Sequence, residues 1–338
     1  MKQMFKEIER RLTQGDALVL VTVTAASGAT PRGTGARMLV GSAGRICGTI
    51  GGGAVEYRAE QLALQVLGDG MSTSQSFFLN RDDVQNLGMI CGGEVAVFFH
   101  YIPAGDQATI ALCRQAAECF EAGSAFWLLS NLQAGGALSL YSKERGFLGY
   151  PCPSWLAEHL TRRPMHLQVN GTDYCVEQIG SAGHVYLFGG GHVSQELEPV
   201  LSHLGFRCVV LEDRREFAKR ELFPTAEDIR LVDFNRIGDF VALGPEDYVC
   251  ILTRGHSYDT AVQAQVLPCR PCYVGVIGSR KKAAGVRKAL KEDYGLSDEL
   301  LDLVTTPIGL DIGGETPAEI AISIAAQMIQ VRSNLNEK

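Results

Sequence analysis

The chain after residue 183 alternates short apolar segments with amphipathic segments, and this alternation constrains the fold more than any other feature of the sequence. Strands that are separated by helices pair in parallel, and the helices then cover both faces of the sheet. One helix is predicted over 193–204, and another opens at the capping box TPAE of residues 316–319. The predicted strands cover 184–188, 207–211, 229–232, 248–252 and 273–277. The fold class is therefore predicted to be α/β, with a C-terminal Rossmann-like parallel sheet domain.

A glycine-rich segment joins the first of these strands to the first helix. The sequence GGGHVS at 189–194 matches the dinucleotide-binding fingerprint, with Gly189, Gly190 and Gly191 in the turn and Ser194 at the third small position. Such glycines let the backbone approach a pyrophosphate at the positive end of a helix. Asp213 follows the next strand and is predicted to accept a hydrogen bond from a ribose hydroxyl. The same pattern also fits a Rossmann fold that serves only as a scaffold.

Cationic and polar residues follow the fourth and fifth predicted strands. In open α/β sheets, ligands bind beyond the carboxyl ends of the strands, and the usual strand order puts the first, fourth and fifth strands side by side. Arginines in this position grip a phosphate through two parallel hydrogen bonds. Each residue alone is typical of a solvated loop, but the loops together favour an anion-binding crevice. The predicted binding residues are Arg254, His256, Ser279, Arg280 and Lys281.

A second glycine cluster lies in the first hundred residues, where a strand at 45–49 meets a helix predicted to begin near residue 54. Loop amides at a helix start, with arginines in adjacent loops, describe a second site for an anion or an oxo ligand. Glu56 is either part of that site or a cap of the helix, and both interpretations stay open. The predicted residues are Arg32, Arg37, Gly51, Gly52, Gly53 and Glu56.

The cysteines and histidines offer few catalytic candidates. Cys91 lies in a glycine turn, where a thiol handles sulfur or a soft metal, although a cysteine taken alone is more often a buried small side chain. His192 and His256 follow strand ends and are the histidine candidates for a catalytic role, which the sequence leaves unassigned. Cys269 and Cys272 form a single CxxC motif that precedes a strand instead of opening a helix, so a structural role is favoured. No metal site is predicted.

Composition and patterning limit the class of protein. The net charge of −7 opposes non-specific nucleic-acid binding, which depends on neutralising phosphates. No apolar run approaches the length of a membrane helix, the N-terminus lacks signal-peptide features, and ten irregularly spaced cysteines fit a reducing compartment, so a cytoplasmic location is expected. Three regions are predicted: an N-terminal mixed α/β domain at 1–102, a connecting region at 103–182 and the Rossmann-like domain at 183–338.

The motifs of both ends together resemble the XdhC/CoxI family. The N-terminal segments that carry the resemblance are ASGATPR at 26–32, GARM at 35–38 and GTIGGGAVE at 48–56. The C-terminal segments are YLFGGGHVS at 186–194, DR at 213–214, GVIGSRKK at 275–282 and PIGLDIGGETPAEIA at 307–321. The middle region carries little of it.

The resemblance implies an accessory protein of molybdenum hydroxylases such as xanthine dehydrogenase. Such proteins bind the molybdenum cofactor, a molybdopterin that also occurs in a nucleotide form. They hold it while its terminal oxo ligand is replaced by sulfur and deliver it to the hydroxylase apoenzyme. A cysteine desulfurase is a further implied partner, and a homodimer is the default expectation. Some members have a cysteine where this chain has Ala54, so a thiol-dependent mechanism would turn to Cys91.

Two other classes of function stay open from the sequence. An NAD(P)-dependent oxidoreductase would use the Rossmann domain for its cofactor and His192 or His256 as the acid or base. A non-enzymatic partner of the hydroxylase or of the desulfurase would keep these loops without using them. The sequence does not specify which hydroxylase is served, which form of the cofactor binds, or whether selenium replaces sulfur.

Overall fold

The computed structural model describes residues 1–335 except 29, 31, 79–92, 134, 151, 170, 181–182 and 257, and at Val169 and His256 it describes the backbone alone. Contacts between residues divide the chain into two units, 1–181 and 182–338.

The first unit contains two antiparallel sheets of five described strands each. The first sheet has the order β3-β2-β1-β5-β4 and the second the order β8-β7-β6-β10-β9. The strands of the first sheet are β1 (Leu18–Gly28), β2 (Arg37–Gly41), β3 (Gly44–Gly48), β4 (Thr73–Phe78) and β5 (Gly93–Ile102). Those of the second are β6 (Phe126–Asn131), β7 (Ala137–Ser142), β8 (Gly146–Gly149), β9 (Met165–Val169) and β10 (Thr172–Gly180).

Helices cover both faces of the first sheet. They are α1 (Lys2–Thr13), α2 (Gly53–Asp69) and α3 (Gln107–Ala122) among the described residues. Val19 and Val21 of β1 belong to the core that includes α2, whereas Leu18 and Leu20 belong to the core that includes α1 and α3. Because both faces are buried, β1 is a continuous apolar run instead of an alternating one.

The second unit is a parallel sheet with helices on both faces. Its order is β13-β12-β11-β14-β15-β16, and every pair is parallel. The strands are β11 (Val185–Phe188), β12 (Cys208–Glu212), β13 (Asp228–Leu231), β14 (Tyr248–Ile251), β15 (Tyr273–Val276) and β16 (Val304–Thr305). The helices are α4 (His192–His203), α5 (Asp259–Val266), α6 (Arg280–Glu292), α7 (Asp298–Leu301) and α8 (Pro317–Leu335).

The predicted fold class is confirmed for both parts of the chain. The five predicted strands are present within one residue, and β11, β14 and β15 lie in a row as expected, while the two-residue β16 was not predicted. The capping box of α8 also forms, since the Glu319 amide donates to Thr316 Oγ1 at 3.3 Å and the Thr316 amide donates to Glu319 Oε2 at 2.9 Å. The connecting region supplies α3 and the whole second antiparallel sheet.

Candidate functional site

A crevice of about 360 Å³ lies where β11, β14 and β15 end. These three strands are adjacent and in register, so the residues that follow them meet at one edge of the sheet. The segment after β11 supplies residues 191–194, the end of β14 supplies Leu252 and Thr253, and the end of β15 supplies Ile277 and Gly278. Pro317, the first residue of α8, completes the wall. This position is the one at which open α/β sheets bind ligands.

The three glycines of the fingerprint have different surroundings. Gly189 has a φ of +107°, and a Cβ there would lie 2.6 Å from the backbone oxygen of Leu252. At Gly191 the φ is −71°, and a Cβ would meet nothing within 4 Å. Gly191 is the N-cap of α4 and has no side chain to cap the first amides of that helix. The buried Ser194 hydroxyl donates to the Gly189 carbonyl and holds the turn. The loop therefore presents an uncapped helix start to open space.

Glu212, the last residue of β12, is the acidic residue that contacts the glycine loop. Its Oε2 accepts a hydrogen bond from the Gly190 amide at 2.6 Å. Burial opposes ionisation of this carboxyl, but hydrogen bonds from Arg214 and from the backbone outweigh burial and lower the pKa of Glu212 to about 2. Asp213, predicted for a ribose, is the next residue, and burial and the Glu212 carboxylate raise the pKa of Asp213. The sequence pattern assigned the ribose to Asp213, whereas the residue that ends β12 and contacts the glycine loop is Glu212, with Asp213 exposed beside it.

The predicted cations follow the same strand ends, but Arg254, Arg280 and Lys281 are not among the residues that line the crevice or the adjoining cavity. Arg254 is exposed in a 3₁₀ turn just after β14, and the Arg280 and Lys281 side chains are exposed in the first turn of α6. Ser279 is the N-cap of α6 and accepts a hydrogen bond from the Lys282 amide at 3.4 Å. The His192 side chain is exposed in the first turn of α4, while that of His256 lies outside the described atoms. The binding roles of these residues stay predictions.

A second cavity, of about 390 Å³, adjoins the crevice. Both are lined by Ile277 and Gly278. The polar part of the cavity lining includes Asp259, Gln263 and Lys282, which the sequence pattern did not single out. The Thr253 hydroxyl, which lines the crevice, donates to the buried Asp259 carboxylate at 2.6 Å. The apolar part includes Val276, Val286, Leu290, Leu301 and Val304.

In the first unit, a carboxylate of α2 accepts hydrogen bonds from the glycine loop that precedes this helix. Glu56 Oε2 accepts hydrogen bonds from the Ile50 amide at 3.0 Å, from the Gly52 amide at 3.1 Å and from the Thr49 hydroxyl. Burial opposes ionisation of this carboxyl, but the Thr49 hydroxyl and the two amides outweigh it and lower the pKa of Glu56. The structure thus shows the capping role for Glu56. Gly51 belongs to the same loop and its amide donates to Thr49 Oγ1 at 3.1 Å, while Gly53 is the first residue of α2.

The two arginines predicted near this loop differ in accessibility. Arg37 is 4% exposed and forms an ion pair with Glu177 of β10, so it bridges the two sheets of the first unit instead of facing a ligand. Burial raises the pKa of Glu177 even with the guanidinium beside it. Arg32 is exposed. Cys91 lies outside the described residues.

The CxxC motif makes backbone contacts. Cys269 Sγ donates to the Gln265 carbonyl at 3.7 Å, and Cys272 Sγ lies 3.1 Å from the Asp247 carbonyl. Within the described parts of the chain, no group of three or more His, Cys, Asp or Glu side chains is placed to hold a metal ion. No described helix is long and apolar enough to cross a membrane.

Comparisons with known proteins agree on one family. The model of the XdhC Rossmann domain matches residues 185–328, and the model of the XdhC and CoxI family matches residues 11–77. A Bacillus subtilis (strain 168) protein, named as a probable xanthine dehydrogenase subunit, is 25% identical over 334 residues, which is 97% of each chain. "Uncharacterized protein YqeB" of Escherichia coli K12 is 24% identical over 98% of this chain, but the chain spans only 46% of that relative.

One solved structure shares the fold over nearly the whole chain. A crystal structure described as a xanthine dehydrogenase from Bacillus halodurans superposes with a TM-score of 0.78. The match covers 98% of this chain and 96% of the other, at 22% sequence identity. At that identity the likeness establishes the fold alone.

Proposed function

The chain belongs to the XdhC and CoxI family, and from this premise we propose that it is an accessory protein of a xanthine dehydrogenase-type molybdenum hydroxylase. It binds the molybdenum cofactor as cargo, holds it during sulfuration and delivers it to the apoenzyme. A cysteine desulfurase supplies the sulfur. The name of the Bacillus subtilis relative supports the association with such an enzyme.

The observation that carries this proposal is the pairing of the crevice with the adjoining cavity. The cofactor has a phosphate group and a pterin ring, and it needs one subsite for each. The uncapped start of α4 and the open space at Gly191 suit a phosphate, because helix amides and the helix dipole favour anions. Arg254 and Arg280 add the charge-assisted hydrogen bonds that phosphate oxygens accept.

The cavity of about 390 Å³ suits the ring. Its aliphatic wall covers the faces of a flat heterocycle, while Asp259 and Gln263 provide polar groups for the edge of the ring. The Thr253 hydroxyl fixes one Asp259 oxygen, so the carboxylate is oriented before any ligand binds. In this proposal the chain binds, orients and shields the cargo from water, and the hydroxylase performs the turnover.

Direct measurement of bound cofactor tests the proposal. Protein purified from a molybdenum-replete host should release a pterin detectable by mass spectrometry, and the cofactor should rebind at micromolar or tighter affinity. Adding the loaded protein should raise the activity of the hydroxylase apoenzyme. Nicotinamide-dependent turnover of a small substrate, with no pterin bound, would overturn the proposal.

Arginine variants test where the cofactor binds. Arg254→Ala and Arg280→Ala should each weaken cofactor binding by about ten- to a hundredfold, since a hydrogen bond to a charged group contributes about 1.5–3 kcal/mol. The loss should shrink as salt rises, because exposed charges are screened. Arg270→Ala is the matched control, since Arg270 precedes β15, at the opposite edge of the sheet, and pairs with Glu299 at 2.9 Å. Wild-type binding by both crevice variants at low salt would move the site elsewhere.

A further inference from the structure

The second strand of a dinucleotide-binding fold ends in an acidic side chain that accepts hydrogen bonds from ribose hydroxyls. In this chain β12 ends in Glu212, one residue before Asp213, and the Glu212 carboxylate is already saturated. Glu212 Oε1 accepts from the Asp213 amide at 3.0 Å and from the Arg214 amide and Nε at 3.0 and 2.8 Å. Its Oε2 accepts from the Gly190 amide at 2.6 Å and from Arg214 Nη2 at 2.9 Å.

A carboxylate offers about four acceptor positions, and five donors from the chain itself surround this one. The Glu212 side chain is 1% exposed, so water does not reach it either. A ribose hydroxyl would have to displace Arg214, which gives both Nε and Nη2 to the same carboxylate in a bidentate pair. The same two nitrogens are therefore not free to hold the 2′-phosphate of NADP.

Packing holds Arg214 in place. Its guanidinium carbon lies 3.9 Å from the centroid of the Phe217 ring, a cation–π contact. The backbone oxygen of Phe217 would lie 3.0 Å, and the Phe223 ring 3.4 Å, from a Cβ on Gly190. The space beside the glycine loop on the β12 side is thus filled by the segment that follows β12.

The open space lies on the other side of the loop. Among the described residues, the crevice is lined from the ends of β11, β14 and β15 and from Pro317, and none of its lining comes from the segment after β12. We propose that Glu212 and Arg214 close the ribose subsite of this Rossmann domain. The domain consequently rejects nicotinamide adenine dinucleotides and accepts phosphate-bearing ligands whose remaining groups extend toward β14 and β15. The acceptance of phosphate-bearing ligands rests on the proposed function, whereas the rejection of nicotinamide adenine dinucleotides does not.

Ligand titration of the full-length wild-type protein tests the closure without any variant. By calorimetry, NADH and NADP⁺ should show dissociation constants above about 1 mM, and ADP-ribose should bind no tighter than pyrophosphate. Micromolar binding of NADH, or a gain of tenfold or more for ADP-ribose over pyrophosphate, would overturn the proposal. Failure of pyrophosphate to bind would contradict the anion crevice of the proposed function and leave the closure standing.

Arg214→Ala tests the mechanism of the closure. The variant leaves Glu212 with three backbone donors and frees acceptor positions, so the affinity for NADH should rise by at least about tenfold. Arg215→Ala is the matched control because it removes the same charge from an exposed neighbouring residue. Equal NADH affinity in the wild type and Arg214→Ala, with both folded by circular dichroism, would refute the closing role. If Arg214→Ala does not fold, the wild-type titration decides.

Discussion

Three consecutive glycines should respond differently to the same added methyl group. At Gly189 the positive φ and the Leu252 carbonyl, 2.6 Å from a Cβ, both oppose alanine. A Cβ on Gly190 would lie 3.0 Å from the Phe217 carbonyl oxygen and 3.1 Å from Glu212 Oε2. At Gly191 the φ of −71° is ordinary for alanine and no atom lies within 4 Å. Stability and anion binding should therefore separate along the series.

The magnitudes follow from those contacts. Gly189→Ala should cost more than about 2 kcal/mol, since a disfavoured φ alone costs about 1–3 kcal/mol and the carbonyl must also move. That loss corresponds to a fall in Tm of roughly 4–8 °C for a unit of this size. Gly190→Ala should cost about 1 kcal/mol, because the neighbouring atoms must yield by a few tenths of an ångström. Gly191→Ala should cost less than about 1 kcal/mol, the difference between glycine and alanine at an N-cap.

Gly191→Ala, the variant expected to lose the least stability, should lose affinity for anions. The methyl group of Gly191→Ala would stand where a phosphate reaches the first amides of α4, so affinity for pyrophosphate should fall at least about tenfold, or about 1.4 kcal/mol. Thermal unfolding followed by circular dichroism measures the first quantity and calorimetric titration measures the second. Equal loss of Tm at 189 and 191 would contradict the loop geometry. Unchanged pyrophosphate binding by Gly191→Ala would show that the phosphate lies elsewhere.

Three further substitutions have expected outcomes. Gly285→Ala, inside α6 with nothing within 4 Å of the new Cβ, should raise the free energy of unfolding by about 0.5–1 kcal/mol in thermal denaturation. Burial lowers the pKa of His100 from 6.5 to about 4, so the wild type should lose about 3 kcal/mol as pH falls through that interval, and His100→Leu should abolish that part of the pH dependence. Glu56→Gln should cost about 1–3 kcal/mol at pH 7. Because the pKa of Glu56 is lowered in the folded state, the difference in unfolding free energy between the wild type and Glu56→Gln should vanish as pH falls below the usual range of a carboxyl. Urea titrations at several pH values measure this difference.

The parallel sheet was predictable because its signals are local. Five of its six strands lie at segments that the sequence marks as strands, whereas the two-residue β16 was not predicted, and the strand order follows from general rules for parallel crossovers. The crevice was predictable for the same reason, since the residues after β11, β14 and β15 must meet once the order is known. The pattern supplied the strand ends at which the crevice lies, whereas a binding role for this crevice and for Arg254, Arg280 and Lys281 stays a prediction.

The contacts that assign roles within the site could not be predicted. The sequence pattern placed Arg37 in a loop, where an exposed side chain is expected. Its partner Glu177 is 140 positions away in the chain, and no local signal links the two residues. The Asp259 and Gln263 side chains lie on α5 and face a cavity formed with α6, so they depend on packing between helices. The second antiparallel sheet of the first unit also escaped prediction, because its strands are short and lie between turns without a recognisable motif.

The two glycine loops show why the same local pattern has two meanings. Both join a strand to a helix through three glycines, and in both a glutamate of the chain accepts a loop amide. Glu56 lies on the helix that the loop opens, so its carboxylate turns back onto the loop and takes the Ile50 and Gly52 amides together. Glu212 lies on a neighbouring strand and takes the Gly190 amide alone, while its other acceptor positions are filled from the segment after β12. At both helix starts the N-cap is a glycine, Gly52 or Gly191, whose Cβ position is open, so the loops differ in which amide a carboxylate already occupies: the N-cap amide itself at α2, and the amide before the N-cap at α4.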